Sequence, residues 1–128
     1  MEKLTTDTFE FKAIPTFRIL DYQTAIDFYV DFLDFEIDWE HRFGPSDPVY
    51  MQISLNGLML HLSENNRFRT DAVVFVDTKN IKAFHKELQE RNPIRKIQEI
   101  ERTPWQTLQL EIKDPFGNLL RFNENVRD

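Results

Sequence analysis

A chain of 128 residues, 41% hydrophobic, with 22 acidic against 16 basic residues and a net charge of −6, suits one domain or two half-size modules that fold only against each other. Its lack of cysteine excludes a disulfide scaffold, thiolate metal ligands and a cysteine nucleophile, and fits a cytoplasmic location. The basic residues form no block that would favour nucleic acid, no apolar run reaches membrane-span length, and the opening MEKLTTDTFEFK has no apolar core of the kind a signal peptide needs.

In chain order, AIPTFRI (13–19) is predicted as a strand. DYQTAIDFYVDFL is predicted as a helix, with Tyr22, Ala25, Ile26, Tyr29 and Leu33 at helical spacing and Asp21 as its cap. Three strands follow: DFEIDWEHRF, PVYMQISL and GLMLHLS. The second alternates Val49, Met51, Ile53 and Leu55 with Tyr50, Gln52 and Ser54, and the third alternates Leu58, Leu60 and Leu62 with Met59, His61 and Ser63. Asn56-Gly57 between them is a two-residue hairpin signal.

The same order then returns. DAVVFVD is an apolar strand, TKNIKAFHKELQERN carries Ile81, Phe84 and Leu88 at helical spacing, and Asn92-Pro93 ends the helix. RKIQEIE, TLQLEIK and NLLRF are predicted as strands, with a turn over Asp114–Gly117. Even the helix starts correspond, DYQTAIDFY against DTKNIKAFH. Offset by sixty positions, Gly57 meets Gly117, Leu60 meets Leu120, Leu62 meets Phe122, Glu64 meets Glu124 and Asn65 meets Asn125, while His61 falls opposite Arg121.

The chain therefore reads as an α+β domain over residues 1–128 made of two tandem βαβββ modules, about 13–66 and about 70–125. Neither copy is large enough to bury its own sheet well, so the two are expected to pair into a curved eight-stranded sheet with a cleft and helices on the outer faces. Alternation places Thr16, Arg18, Met59, His61, Val73, Phe75, Leu119 and Arg121 toward that cleft. Trp39, Phe43, Tyr50 and Trp105 are expected at its rims as stacking surfaces, near Asp38, Glu40 and Asp47. His41 and His85 are expected at the surface, and Asp71 is expected to pair with Arg18 or Arg121. There is no HExxH or GxSxG, and three glycines leave little material for a phosphate-binding loop.

The phrases FRILDYQTAIDFYVDFLDFEIDW, LMLHLSE and TPWQTLQLEIKDPFGNLLRF, in this duplicated order, resemble the glyoxalase/bleomycin resistance protein/dioxygenase (vicinal oxygen chelate) superfamily. Pro104-Trp105 followed by Asp114-Pro115-Phe116-Gly117-Asn118 is most similar to its bleomycin-resistance branch. Carried over residue by residue, the metal-ligand positions of the superfamily's enzymes fall on Ile14, His61, Asp71 and Arg121. Only His61 and Asp71 could coordinate, one short of a usual catalytic set. The resemblance thus implies no metal, no cofactor and no catalytic residue.

It implies instead a homodimer that confers antibiotic resistance by sequestering a planar cationic antibiotic, such as bleomycin, in a dimer-interface cleft. The ligand-binding candidates are Trp39, Phe43, Tyr50, His61, Trp105, Arg18 and Arg121. Pro15 matches a proline where the branch exchanges its N-terminal strand between subunits, or it protects a sheet edge. The alternatives are a divalent-metal-dependent lyase, isomerase or dioxygenase acting through His61, Asp71 or Glu111, a binding module for an anionic metabolite held by Arg18 and Arg121, and a partner-binding domain with no small ligand.

Overall fold

A computed structural model describes residues 8–127; residues 1–7, which carry most of the leader-peptide reading, lie outside them. The first strand, β1 (Thr16–Arg18), is shorter than expected. It begins after Pro15, which has no N–H to donate to a ladder, although the Pro15 carbonyl still accepts from His61 N at 2.9 Å. Helix α1 (Tyr22–Ala25) starts where predicted, with Asp21 accepting from both the backbone and the hydroxyl of Thr24.

The helix then widens into a π-helical stretch, Ile26–Phe32, in which Leu33 N–H donates to Phe28 O five residues back. Phe28, Tyr29 and Phe32 are all buried by it. Asp34, in the left-handed region at φ 73°, turns the chain out, and Phe35 N–H closes back on Tyr29 O.

Strands β2 (Glu36–His41), β3 (Tyr50–Leu55) and β4 (Leu58–Ser63) follow, and Asn56 and Gly57 both take positive φ in the hairpin turn that their dipeptide predicts. The second copy comprises β5 (Val73–Asp77), α2 (Ile81–Arg91), β6 (Glu101–Arg102), β7 (Thr107–Lys113) and β8 (Leu119–Asn125). Hydrogen bonding groups the eight strands into two sheets of four, ordered β1-β4-β3-β2 and β5-β8-β7-β6. In each sheet the module's first and last strands run parallel and the rest antiparallel.

Three local expectations are corrected. The helix starts do not match: α2 has Asn80 at φ 61° with no side-chain cap, and its first N–H, from Ile81, is met by Glu124 of β8 at 2.9 Å. RKIQEIE contributes only its last residue to β6, because Ile97 and Ile100 turn onto the core and Gln98 O binds the His85 ring at 2.9 Å instead of joining a ladder. His85 is accordingly buried, not at the surface.

One hydrophobic cluster spans both copies, with Phe17, Met51, Ile53, Leu60 and Leu62 from the first sheet and Leu110, Ile112, Leu120 and Phe122 from the second. A buried polar node joins them. Asp114 accepts from Tyr29 Oη at 2.6 Å, from Phe116 N and Asn118 N, and from Asn118 Nδ2, which also donates to Arg18 O at 2.9 Å. Burial, then the Asp114 carboxylate, raises the Tyr29 phenol well above its usual range and keeps it a donor. Arg91 of α2 donates to Phe32 O at 2.6 Å as a second tie between copies. Among the described residues no helix is long and apolar enough to cross a membrane.

The Tyr29–Asp114 bond generates a stability prediction. Tyr29→Phe leaves the ring packing in place but removes one donor from a buried carboxylate, and is expected to cost about 1–3 kcal/mol. Urea unfolding should show a lower midpoint at unchanged slope; an unaltered midpoint would mean that the bond does not hold the modules together.

Candidate functional site

Each sheet buries one face and leaves the other free of the core. On sheet one the free face carries Thr16, Arg18, Tyr50, Gln52, Met59 and His61, while Phe17, Met51, Ile53, Leu60 and Leu62 point inward. Cross-strand register aligns Thr16, His61, Gln52 and Trp39 as one rung over all four strands. The next rung is Arg18, Ser63, Tyr50 and His41.

A bulge between Ile37 and Trp39 shapes the outer end of the first rung. In a regular strand Asp38 and Trp39 would face opposite ways. Here both act on one face: Asp38 accepts from Gln52 Nε2 at 3.0 Å and from Ser54 Oγ at 2.9 Å, while Trp39 stacks on Tyr50, 6.0 Å between centroids and 12° between planes, and meets His61 edge-on.

These contacts set the direction of the hydrogen bonds around His61. Gln52 spends its NH₂ on the acceptor-only Asp38 carboxylate, so its oxygen faces His61 Nε2 at 3.0 Å and Nε2 must carry the proton. Nδ1 is then the acceptor, and Tyr50 Oη donates to it at 2.8 Å. Thr16 Oγ1 lies 3.3 Å from the same phenol oxygen. Both imidazole nitrogens are engaged within sheet one.

Beside this network lies a pocket of about 610 Å³ whose wall includes Trp39, His41, Phe43, Tyr50, Arg67 and Phe68. Phe68 was not among the expected residues. It lies in the irregular ENNRFRT segment, where no periodicity marks a ring as functional, and its contact with Tyr50 (6.2 Å) is made only by folding.

On sheet two the rung equivalent to that of His61 is Phe75, Arg121 and Glu111. Arg121 Nη2 donates to Gln109 at 3.1 Å, and its Nε lies 3.1 Å from Glu111 without lining up as a hydrogen bond. Among the described residues no contact joins His61 to Arg121. Trp105 sits apart from Trp39, in the turn before β7, with its carbonyl held by Arg127 at 2.7 Å.

Asp71 pairs with neither Arg18 nor Arg121, contrary to expectation. It is exposed ahead of β5 at φ 68°, packed so closely on Gly117 that a Cβ there would strike its carboxylate. Ile14 offers no donor, and the described residues contain no group of three His, Asp or Glu side chains placed to share an ion.

Partial burial lowers the His61 imidazole below its ordinary value of 6.5. A lowered folded-state value means that the unfolded chain takes up this proton first. The contribution to stability is thus fully present above about pH 6.5 and is lost as pH falls through the lowered folded value. Urea midpoints measured across that window are expected to fall with pH more steeply in the wild type than in His61→Gln; equal slopes would show that His61 does not titrate as the buried member of the network.

Comparison with curated protein sequences returns no match. Among solved structures, a bleomycin resistance determinant encoded on transposon Tn5 superposes with a TM-score of 0.73 at 20% identity, over 92% of this chain and 100% of that one. A bleomycin-binding protein complexed with bleomycin gives 0.71 at 19% identity, over 91% and 99%. The antibiotic-binding protein TnmS3 from Streptomyces sp. CB03234 gives 0.65 at 21% identity, over 92% and 99%. At these identities the likeness is one of fold. A sequence profile described as "Glyoxalase superfamily protein" matches residues 2–128, and with that match over two βαβββ units the chain belongs to the glyoxalase superfamily.

Proposed function

We propose that the protein binds a planar small molecule and sequesters it unchanged, in a cleft completed by a second copy of the chain. The observation that carries this reading is the aromatic pocket on sheet one, where Trp39 and Phe43 stay 42% and 91% exposed beside Tyr50 and Phe68. Flat rings around a concave space suit a flat ligand. His61 supports the reading by its commitments: with both nitrogens engaged, it fixes Tyr50 and Trp39 rather than standing ready for a substrate proton.

Bleomycin is the first ligand to test, because two neighbours of the same fold carry it in their descriptions. The net charge of −6 draws a cationic molecule at long range. Support for the homodimer comes from Val73 and Phe75 on β5, 59% and 58% exposed, and from Trp105, 44% exposed. Apolar side chains left open on a strand suit burial by a partner. Sheet two, with Trp105 and Arg121, would then supply the other wall of the cleft. A cytoplasmic role in antibiotic resistance follows from this reading. The metal-dependent alternative asks for a donor set that Ile14, His61, Asp71 and Arg121 do not make.

Titration with metal-free bleomycin, followed by tryptophan fluorescence, tests the proposal. Saturation at about one ligand per subunit is expected, and Trp39→Ala should weaken binding by about 3- to 10-fold, the worth of one aromatic stack. Sedimentation of the same samples should give a dimer. No response from Trp39, in a protein that remains folded, would sink the stacking site.

A further inference from the structure

The charge lining the aromatic pocket is opposite in sign to that of the whole chain. Its wall holds Arg67 and His41 and no carboxylate. Two acidic groups near the wall are already occupied: Glu64 accepts from Arg42 at 3.3 Å and from Val49 N at 2.9 Å, and Asp38 is held by Gln52 and Ser54. Arg42 is likewise engaged, donating to Asp47 O at 2.7 Å.

Arg67 is different. It makes no ion pair among the described residues and lies over the Phe68 ring, 5.1 Å from its centroid. Its backbone is held by an Asn65 side chain that accepts from Arg67 N at 3.0 Å, so the guanidinium leaves the chain at a set point of the pocket wall.

A second cation stands on the same face. The rung that runs through the pocket is His41, Tyr50 and Ser63, and its next member is Arg18 on β1. Arg18 Nε is a buried guanidinium nitrogen with no hydrogen-bond partner among the described residues. Native structures rarely leave such a donor unmet. The Arg18 side chain is half-buried with this one N–H unmet, and an anion brought by a ligand would complete it through charge-assisted bonds.

From these two arginines we infer that the pocket selects a planar aromatic ligand carrying an anionic group, a carboxylate or its like, with the ring among Trp39, Phe43, Tyr50 and Phe68 and the charge met by Arg67 and Arg18. This rests on the stacking reading above and sets the pocket's own charge preference against the long-range pull of the net charge of −6 on cations. Arg121, by contrast, is paired with Glu111 and brings no net charge to the site.

Three near-isosteric probes separate ring from charge: 2-naphthoate, 2-naphthamide and 2-naphthylmethylammonium, each measured by equilibrium dialysis against the intact protein. Naphthoate is expected to bind about 10-fold more tightly than the amide, and the ammonium most weakly. Arg67→Gln should remove much of that advantage, weakening naphthoate more than the amide, and Arg18→Gln should do the same where it folds. Added salt should weaken naphthoate and spare the amide. Equal binding of all three, or preference for the ammonium, would overturn the charge inference and leave the stacking site intact. Failure of all three to bind would take down the stacking site and this inference together.

Discussion

The fold turns on one buried carboxylate. Asp114 closes the last turn of the second module through Phe116 N and Asn118 N, and its other oxygen takes the phenol of Tyr29 from the first module's helix. A carboxylate buried this deeply is tolerable only when its lone pairs are met. Because Asn118 also reaches Arg18 O, the same node ties the end of β1 to the start of β8. The shared core then locks inward, and the free faces of both sheets keep their polar and aromatic side chains available.

Duplication supplies the frame and divergence supplies the chemistry. Gln52 and Glu111 occupy comparable rungs beside His61 and Arg121. On sheet one the pair became a directed chain of neutral hydrogen bonds anchored on Asp38, with rings around it. On sheet two it became an ion pair backed by Gln109. The bulge at Asp38 makes the difference possible, since it lets a carboxylate and an indole from adjacent positions serve one face. A histidine and an arginine at matching positions therefore build two separate surfaces rather than one shared centre.

What was legible beforehand was what short-range chemistry dictates. Strand alternation around His61 and Arg121, the Asn56-Gly57 turn, the Asp21 cap and the duplicated order are local signals, read at periods of two or 3.6. That Thr16, Arg18, Met59 and His61 stand on the face of sheet one away from the core follows from alternation alone, and Trp39, Phe43 and Tyr50 line one pocket. Where distant groups compete for the same backbone, the reading failed. Glu124 replaces a local cap for α2, and His85 takes Gln98 O away from the expected strand.

The amino-acid sequence by itself determined the α+β class, the doubled module and the sheet faces on which the polar and aromatic residues would stand, because pleat and helix periodicities act within a few residues. Tertiary structure alone decided which of those residues meet. Trp39 joins Phe68 and Tyr50 but not Trp105, Asp71 packs on Gly117 rather than on an arginine, and among the described residues Arg67 and Arg18 stay without an ion-pair partner while Arg42 and Arg121 find carboxylates. Such pairings depend on bulges, turns and module docking that bring together groups tens of residues apart, and no local periodicity encodes them.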